Sequence, residues 1–190
     1  MSKIRTTILL AILTFLATLP SQHAQATMPH IEEPFSCAAV SEIPQSECEA
    51  LVVIYNETGG SEWRTYTYKG PDTLWLTNDT PCRWTGVDCQ DGHVSQLDFY
   101  GYSYIAHSFA YNLTGNLPPE IANLTQLTSI DLNYNKLNSI PPEIGDLNNL
   151  TFLDLNGNPL DSIPSEIGNL NNLTTLNLSG NALSSIPPEI

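Results

Sequence analysis

From residue 127 onward, apolar and polar positions recur with a period of 23. The copies are LTSIDLNYNKLNSIPPEIGDLNN (127–149), LTFLDLNGNPLDSIPSEIGNLNN (150–172) and LTTLNLSGNALSSIPPEI (173–190), the last stopping after 18 residues. Within the copies, Ile130/Leu132, Leu153/Leu155 and Leu176/Leu178 alternate with polar neighbours, which predicts a short strand with one buried face. Stacked copies would set these strands side by side in a parallel sheet along a concave surface. Asn135, Asn158 and Asn181 stand where the chain must turn inward. A buried Asn there can satisfy backbone groups that leave the strand, and successive copies would form a ladder. Leu137/Ile140, Leu160/Ile163 and Leu183/Ile186 fill the interior from the opposite wall. The glutamate column Glu120, Glu143, Glu166 and Glu189 fits the first turns of short convex helices, where an acid opposes the helix dipole.

The shared L-x-x-L-x-L-x-x-N-x-L wording is the pattern of the leucine-rich repeat. One earlier coil, 94–126, carries it with an interruption. VSQLDF (94–99) matches the strand and LTGNLPPEI (113–121) the second half, but this coil has 33 residues. The excess falls in YGYSYIAHSFAYN, and Tyr111 takes the place of the ladder asparagine, so the first rung is in doubt. The expected fold is therefore an α/β solenoid, with short parallel strands on the concave face and helical or irregular convex segments.

A solenoid exposes its hydrophobic cross-section at each end and requires a cap. Residues 42–93 suit that role. Ser46-Glu47-Cys48-Glu49 reads as a capping box opening a helix, Ala50, Leu51, Val53 and Ile54 form its apolar side, and Gly59-Gly60 ends it. Trp63, Trp75-Leu76 and the segment CRWTGVDC (82–89) follow directly before the first strand. This arrangement resembles the plant-type N-terminal cap of extracellular leucine-rich repeat proteins, found in receptor-kinase ectodomains, polygalacturonase inhibitors and related secreted bacterial proteins. The resemblance covers 42–190. It implies a helical, disulfide-stapled cap in which Cys82 and Cys89 pair, and a recognition scaffold rather than a reaction.

The N-terminus modifies the picture. Lys3 and Arg5, the mainly apolar run from Ile8 to Leu19 and Ala24-Gln25-Ala26 make residues 1–26 a secretory signal peptide. Its apolar run is too short to span a bilayer. A flexible segment, 27–41, then leads into the cap. Export places the protein in an extracellular, cell-surface or periplasmic setting, where Cys37, Cys48, Cys82 and Cys89 form two disulfides by default. Four cysteines allow three pairings, and spacing favours Cys37–Cys48 with Cys82–Cys89 without settling the choice.

The chain of 190 residues carries 20 acids against 6 bases, a net charge of -14. No basic face for nucleic acid or anionic lipid can be assembled from such a composition. Catalysis finds no motif either: no nucleophile elbow, phosphate loop or metal-ligand spacing occurs, so no enzyme activity, cofactor or metal is expected. What remains is a binding surface for a protein or carbohydrate ligand. Its candidates on the concave strands are Asp98, Asp131, Asp154 and Asn177 in one column, flanked by Phe152 on one side and by Tyr100 and Asn133 on the other. The insert adds Tyr102, Tyr104, His107 and Phe109, since aromatics are the residues from which interface hot spots are built. An inhibitor of an extracellular hydrolase is the alternative reading. Seven N-x-S/T sequons occur, several of them automatic products of the repeated N-L-T. The pattern stops inside a coil at Ile190, which suggests a fragment of a larger repeat receptor or adhesin without independent activity. Self-association through the uncapped last coil, or a tolerated open end, would also account for it.

Overall fold

The computed structural model describes residues 35–63, 74–100, 102–103, 108–109 and 111–190, and Phe35–Ile190 form one compact unit. The signal-peptide segment lies outside the described residues. So does the first part of the segment expected to be flexible over 27–41. The rest of it is tied down, with Cys37 buried in a short 3-10 turn and bonded to Cys48. Cys82 bonds to Cys89, as the resemblance implied.

The cap is built around α1, Gln45–Glu57. The helix begins one residue ahead of the expected capping box. Pro44 occupies the N-cap without a side-chain bond, and Ser46 falls inside the first turn. Proline's fixed φ presets the entry, so no hydroxyl cap is required. Glu49 accepts from Gln45 Nε2 at 2.7 Å instead of reaching back to Ser46. Glu47 turns inward. It is 2% exposed, accepts the Val94 N–H at 2.8 Å and meets His93 Nδ1 at 2.6 Å, which fastens the helix to the first long strand. The helix ends at Thr58, followed by Gly59 in the left-handed region at φ 76°. A Cβ there would meet Thr114 Oγ1 at 2.6 Å.

Beside the helix, Trp63, Trp75 and Trp84 form an aromatic plug with Tyr55, Phe99 and Tyr111. Ring centroids lie 4.9–6.0 Å apart, mostly tilted or edge-on. Each indole N–H is satisfied, by Thr58 O, Thr85 O and Asn78 Oδ1 respectively, so the rings are buried without stranding a donor.

A five-stranded sheet runs from the cap into the repeats. β1 (Val87–Gln90) pairs antiparallel with β2 (His93–Asp98) across the two-residue turn Asp91-Gly92, both with positive φ. The Asp-Gly pair is the expected choice for a tight hairpin of this kind. The two-stranded insert ribbon, β3 (Tyr102–Ser103) with β4 (Ser108–Phe109), stands apart from this sheet, as does β5 (Thr114–Asn116). β6 (Ser129–Asp131), β8 (Phe152–Asp154) and β9 (Thr175–Asn177) continue the main sheet in parallel from β2. Between β6 and β8, β7 (Lys136–Ser139) pairs in parallel with β5 in a small second sheet that the repeat pattern did not announce. Leu97, Ile130, Leu153 and Leu176 are register partners, so each coil presses the same leucine position onto the next. Convex segments are single 3-10 turns at Pro119–Asn123, Pro142–Asp146 and Ser165–Asn169, and each carries its column glutamate in the first turn.

The asparagine ladder forms. Asn158 Nδ2 donates to Leu132 O and Leu155 O, each at 3.0 Å, while its Oδ1 accepts the Leu137 N–H at 3.0 Å. Asn135 repeats this set with Phe99 O, Leu132 O and the Leu113 N–H. Asn181 donates to Leu155 O and Leu178 O, but its buried Oδ1 has no partner. The first coil has no asparagine rung. Tyr111 is buried there instead, against Phe99 and Trp63. Leu137, Ile140, Leu160 and Ile163 are buried as expected, whereas Leu183 is half-buried and Ile186 is 50% exposed.

Replacing Asn158 by Ala strands two carbonyls and one N–H in the interior. The unfolding free energy in urea should fall by about 2–4 kcal/mol, while exposed Asn171→Ala should change it by less than about 0.5 kcal/mol.

Candidate functional site

Because successive strand residues point to opposite faces, burying Leu97, Ile130, Leu153 and Leu176 turns their neighbours outward. Asp98, Asp131, Asp154 and Asn177 become register partners on four adjacent strands, about 4.8 Å apart from one to the next. The structure thus brings the expected acid column together. Asp98 is exposed, and Asp131 and Asp154 are half-buried.

Each inner acid is held by its own backbone. Asp131 Oδ1 accepts the Asn133 N–H at 3.0 Å, and Asp154 Oδ1 accepts the Asn156 N–H at 2.8 Å. Asn177 repeats the turn with Ser179 and donates its amide to Asp154 Oδ2 at 3.0 Å. Asp154 therefore has a donor neighbour on one side. Asp131 has an acid on both. Partial burial pushes the Asp131 carboxyl up to about 6; the Asn133 N–H opposes this, and the charges of Asp154 and Asp98 add to it. Lys136 and Arg83 are the bases among the described residues, and neither belongs to the outward strand columns.

Around the column, Phe152 stands opposite Ser129 in register and is half-buried. Tyr100, Asn133 and Asn156 follow on the other side. Asn133 is only 8% exposed, and its Oδ1 has no hydrogen-bond partner. The next position holds Tyr134, which sequence reading passed over. It is 46% exposed and sits in the left-handed region at φ 52°, where the following coils place Gly157 at φ 70° and Gly180 at φ 68°. A left-handed backbone costs a non-glycine residue roughly 1 kcal/mol. A Cβ on Gly157 would meet the Tyr134 ring at 2.8 Å, so the ring lies along the space that the glycine leaves. The signal was present in the Tyr134/Gly157/Gly180 column.

The insert is placed only in part. Tyr102 and Phe109 are opposed in the short antiparallel pair, while Tyr104 and His107 lie outside the described residues. Tyr111, at the end of the insert, belongs to the cap packing, and burial raises its phenol pKa far above the usual value. Among the described residues no group of three or more His, Cys, Asp or Glu side chains is arranged to hold a metal ion. No helix among the described residues is long and apolar enough to cross a membrane.

Comparison with known proteins places this geometry. A family model described as "Leucine rich repeat" matches residues 110–160, and one described as "Leucine Rich repeats (2 copies)" matches 148–188. Among solved structures, a plant ice-binding protein is 25% identical with a TM-score of 0.60, over 78% of this chain and 45% of its own. The ectodomain of the receptor kinase SOBIR1 from Arabidopsis thaliana is 28% identical with a TM-score of 0.53, over 73% of this chain and 68% of its own. The ectodomain of GASSHO1/SCHENGEN3 from the same plant, solved in complex with CASPARIAN STRIP INTEGRITY FACTOR 2, is 26% identical with a TM-score of 0.53, over 74% of this chain and 16% of its own. The chain therefore spans less than half of the first of these proteins and about a sixth of the last.

The titration of Asp131 has a definite sign. A carboxyl whose native pKa lies above its ordinary 3.8 binds its proton more tightly when folded, so its charge penalises the native state fully above about 6 and not below about 4. Asp131→Asn keeps the acceptor for Asn133 N–H. It should raise the melting temperature at about pH 7.5, and the gain should shrink towards zero as the pH falls to about 4.

Proposed function

Because the chain is a leucine-rich repeat protein, we propose that it is an extracytoplasmic recognition module whose concave face binds a basic, donor-rich segment of a protein partner. The observation that carries this reading is the aspartate column, with Asp131 between two like charges and no base among the outward positions of the same strands. A lysine or arginine side chain laid across the column would relieve that repulsion, and a guanidinium can also bridge neighbouring carboxylates. Aromatic surface flanks the column on both sides, Phe152 on one and Tyr100 with Tyr134 on the other, offering contact area beside the charge. Exposure of Tyr134 at a left-handed position supports the same assignment, since strained residues persist where they serve a site. The insert, with Tyr102, Tyr104, His107 and Phe109, would supply a second contact. That one similar receptor ectodomain was solved with a named partner fits a binding role of this kind. The reading is one of binding, not of catalysis. A carbohydrate partner would use the same aromatic positions but has less use for a row of carboxylates.

Selection from a random displayed peptide library tests it. Enriched peptides should carry Lys or Arg, weaken with added salt, and lose at least about tenfold in affinity against Asp131→Asn/Asp154→Asn. The double variant should melt no lower than the parent protein. Enrichment of peptides without basic residues, or affinity indifferent to the two aspartates, would contradict the reading.

A further inference from the structure

A recess lies away from the aspartate column, where the cap hairpin meets the first coils. It measures about 280 Å³, is open to solvent on one side, and is lined by Gln90, Asp91, His93, Gln126, Thr128 and Asn149, among others. That volume lies just below the range of drug-sized pockets, roughly 300–1,000 Å³, and so suits no more than a single small ring. We propose that this recess is a saccharide subsite, which accepts adjacent hydroxyls of one neutral pyranose ring through a His93 imidazole held by the buried carboxylate of Glu47.

The ring is fixed from behind. Glu47 does not line the recess, is 2% exposed, and takes His93 Nδ1 at 2.6 Å and the Val94 N–H at 2.8 Å. A carboxylate only accepts, so Nδ1 carries a proton towards Glu47 and Nε2 is the ring atom left to meet a ligand hydroxyl, which can donate or accept. The other walls are acceptor-rich. Asn149 spends an amide hydrogen on Thr125 O at 2.9 Å and keeps its Oδ1, while Thr128 donates its hydroxyl to Ser95 O at 3.1 Å and keeps its lone pairs. Asp91 adds a carboxylate from the hairpin turn, and Gln90 and Gln126 add amides that accept or donate. A wall of acceptors selects a ligand that brings several donors. An anion would meet Asp91 and is excluded. A full cation is poorly served too, since the lining has a single carboxylate and no aromatic cage. Neutral vicinal hydroxyls fit this pattern. The site is independent of the peptide-binding reading, because it shares no residue with the outward strand columns that serve it.

The test observes His93 directly, through the ¹⁵N shift of its Nε2 during titration with methyl β-glucopyranoside, methyl β-galactopyranoside and methyl α-mannopyranoside. At least one of the three should give a saturable displacement. Glu47→Gln, which removes the charged acceptor that holds Nδ1 and fixes the ring, should weaken it about tenfold. Should that variant fail to fold, Gln126→Trp blocks the recess from an exposed position and should abolish the displacement, whereas Asp131→Asn on the concave face should leave it unchanged. No saturable displacement with any of the three sugars, or one that persists in Gln126→Trp, would overturn the proposal and leave Glu47–His93 as a staple between cap and sheet.

Discussion

Parallel strands stacked in a solenoid leave a recurring difficulty, because each strand ends by turning its backbone into the interior. The carbonyls at that corner have no sheet partner, and leaving one unbonded in a dry core costs roughly 1–3 kcal/mol. Asn135 and Asn158 remove the problem for two coils at once. One amide group binds the exit carbonyl of its own strand and that of the preceding strand, and its oxygen returns to an N–H in the preceding coil. A leucine in the same place could bury as much surface and would satisfy none of these groups. The aliphatic columns supply most of the driving force for stacking, but the amide rungs set which coil sits on which and in what register.

That register is also what creates the recognition surface. Once Leu97, Ile130, Leu153 and Leu176 are aligned inward, Asp98, Asp131, Asp154 and Asn177 are aligned outward whether or not their charges agree. The strain is uneven. Asn177 relieves Asp154 through a direct bond, and Asp131 is left between two acids with its proton affinity raised. A repeat scaffold thus converts a requirement of its core into a linear array of equivalent surface positions, and the ligand chemistry follows from what fills them. The cap works differently. It has no periodicity to rely on and is held by three tryptophans, two disulfides and the buried Glu47.

Much of this was legible in the residues alone. The 23-residue period gave the strands, the ladder and the aspartate column because each is local and repeated three times. Features that depend on contacts between distant segments were not legible. Glu47 lies 46 residues from His93 and, in the sequence, stands only as an intervening position between Ser46 and Glu49 of the expected capping box. Its role depends on the fold bringing His93 and Val94 against the helix, which no local spacing announces. The small sheet between β5 and β7 joins segments in adjacent coils without the alternation that marks a strand. Tyr134 was readable but unread, because its meaning lies in the column it shares with two glycines rather than in its neighbours along the chain. The aromatic insert divides. Tyr111 went to the core, Tyr102 and Phe109 to a ribbon, and the composition that united them carried no information on that partition.

If the amide rungs lock coil to coil, the backbone groups they bind should never open by themselves. Native-state hydrogen exchange at Leu113 and Leu137 examines this directly, because their N–H groups have asparagine side chains as acceptors at 2.9 and 3.0 Å. The account predicts that both exchange only through global unfolding, with the same free energy and denaturant dependence as Leu132 and Leu155, whose N–H groups lie in the strand ladder. Exchange at Leu113 and Leu137 that is much faster and independent of denaturant would show the rungs opening locally, and the stacking would then have to rest on the leucine columns alone.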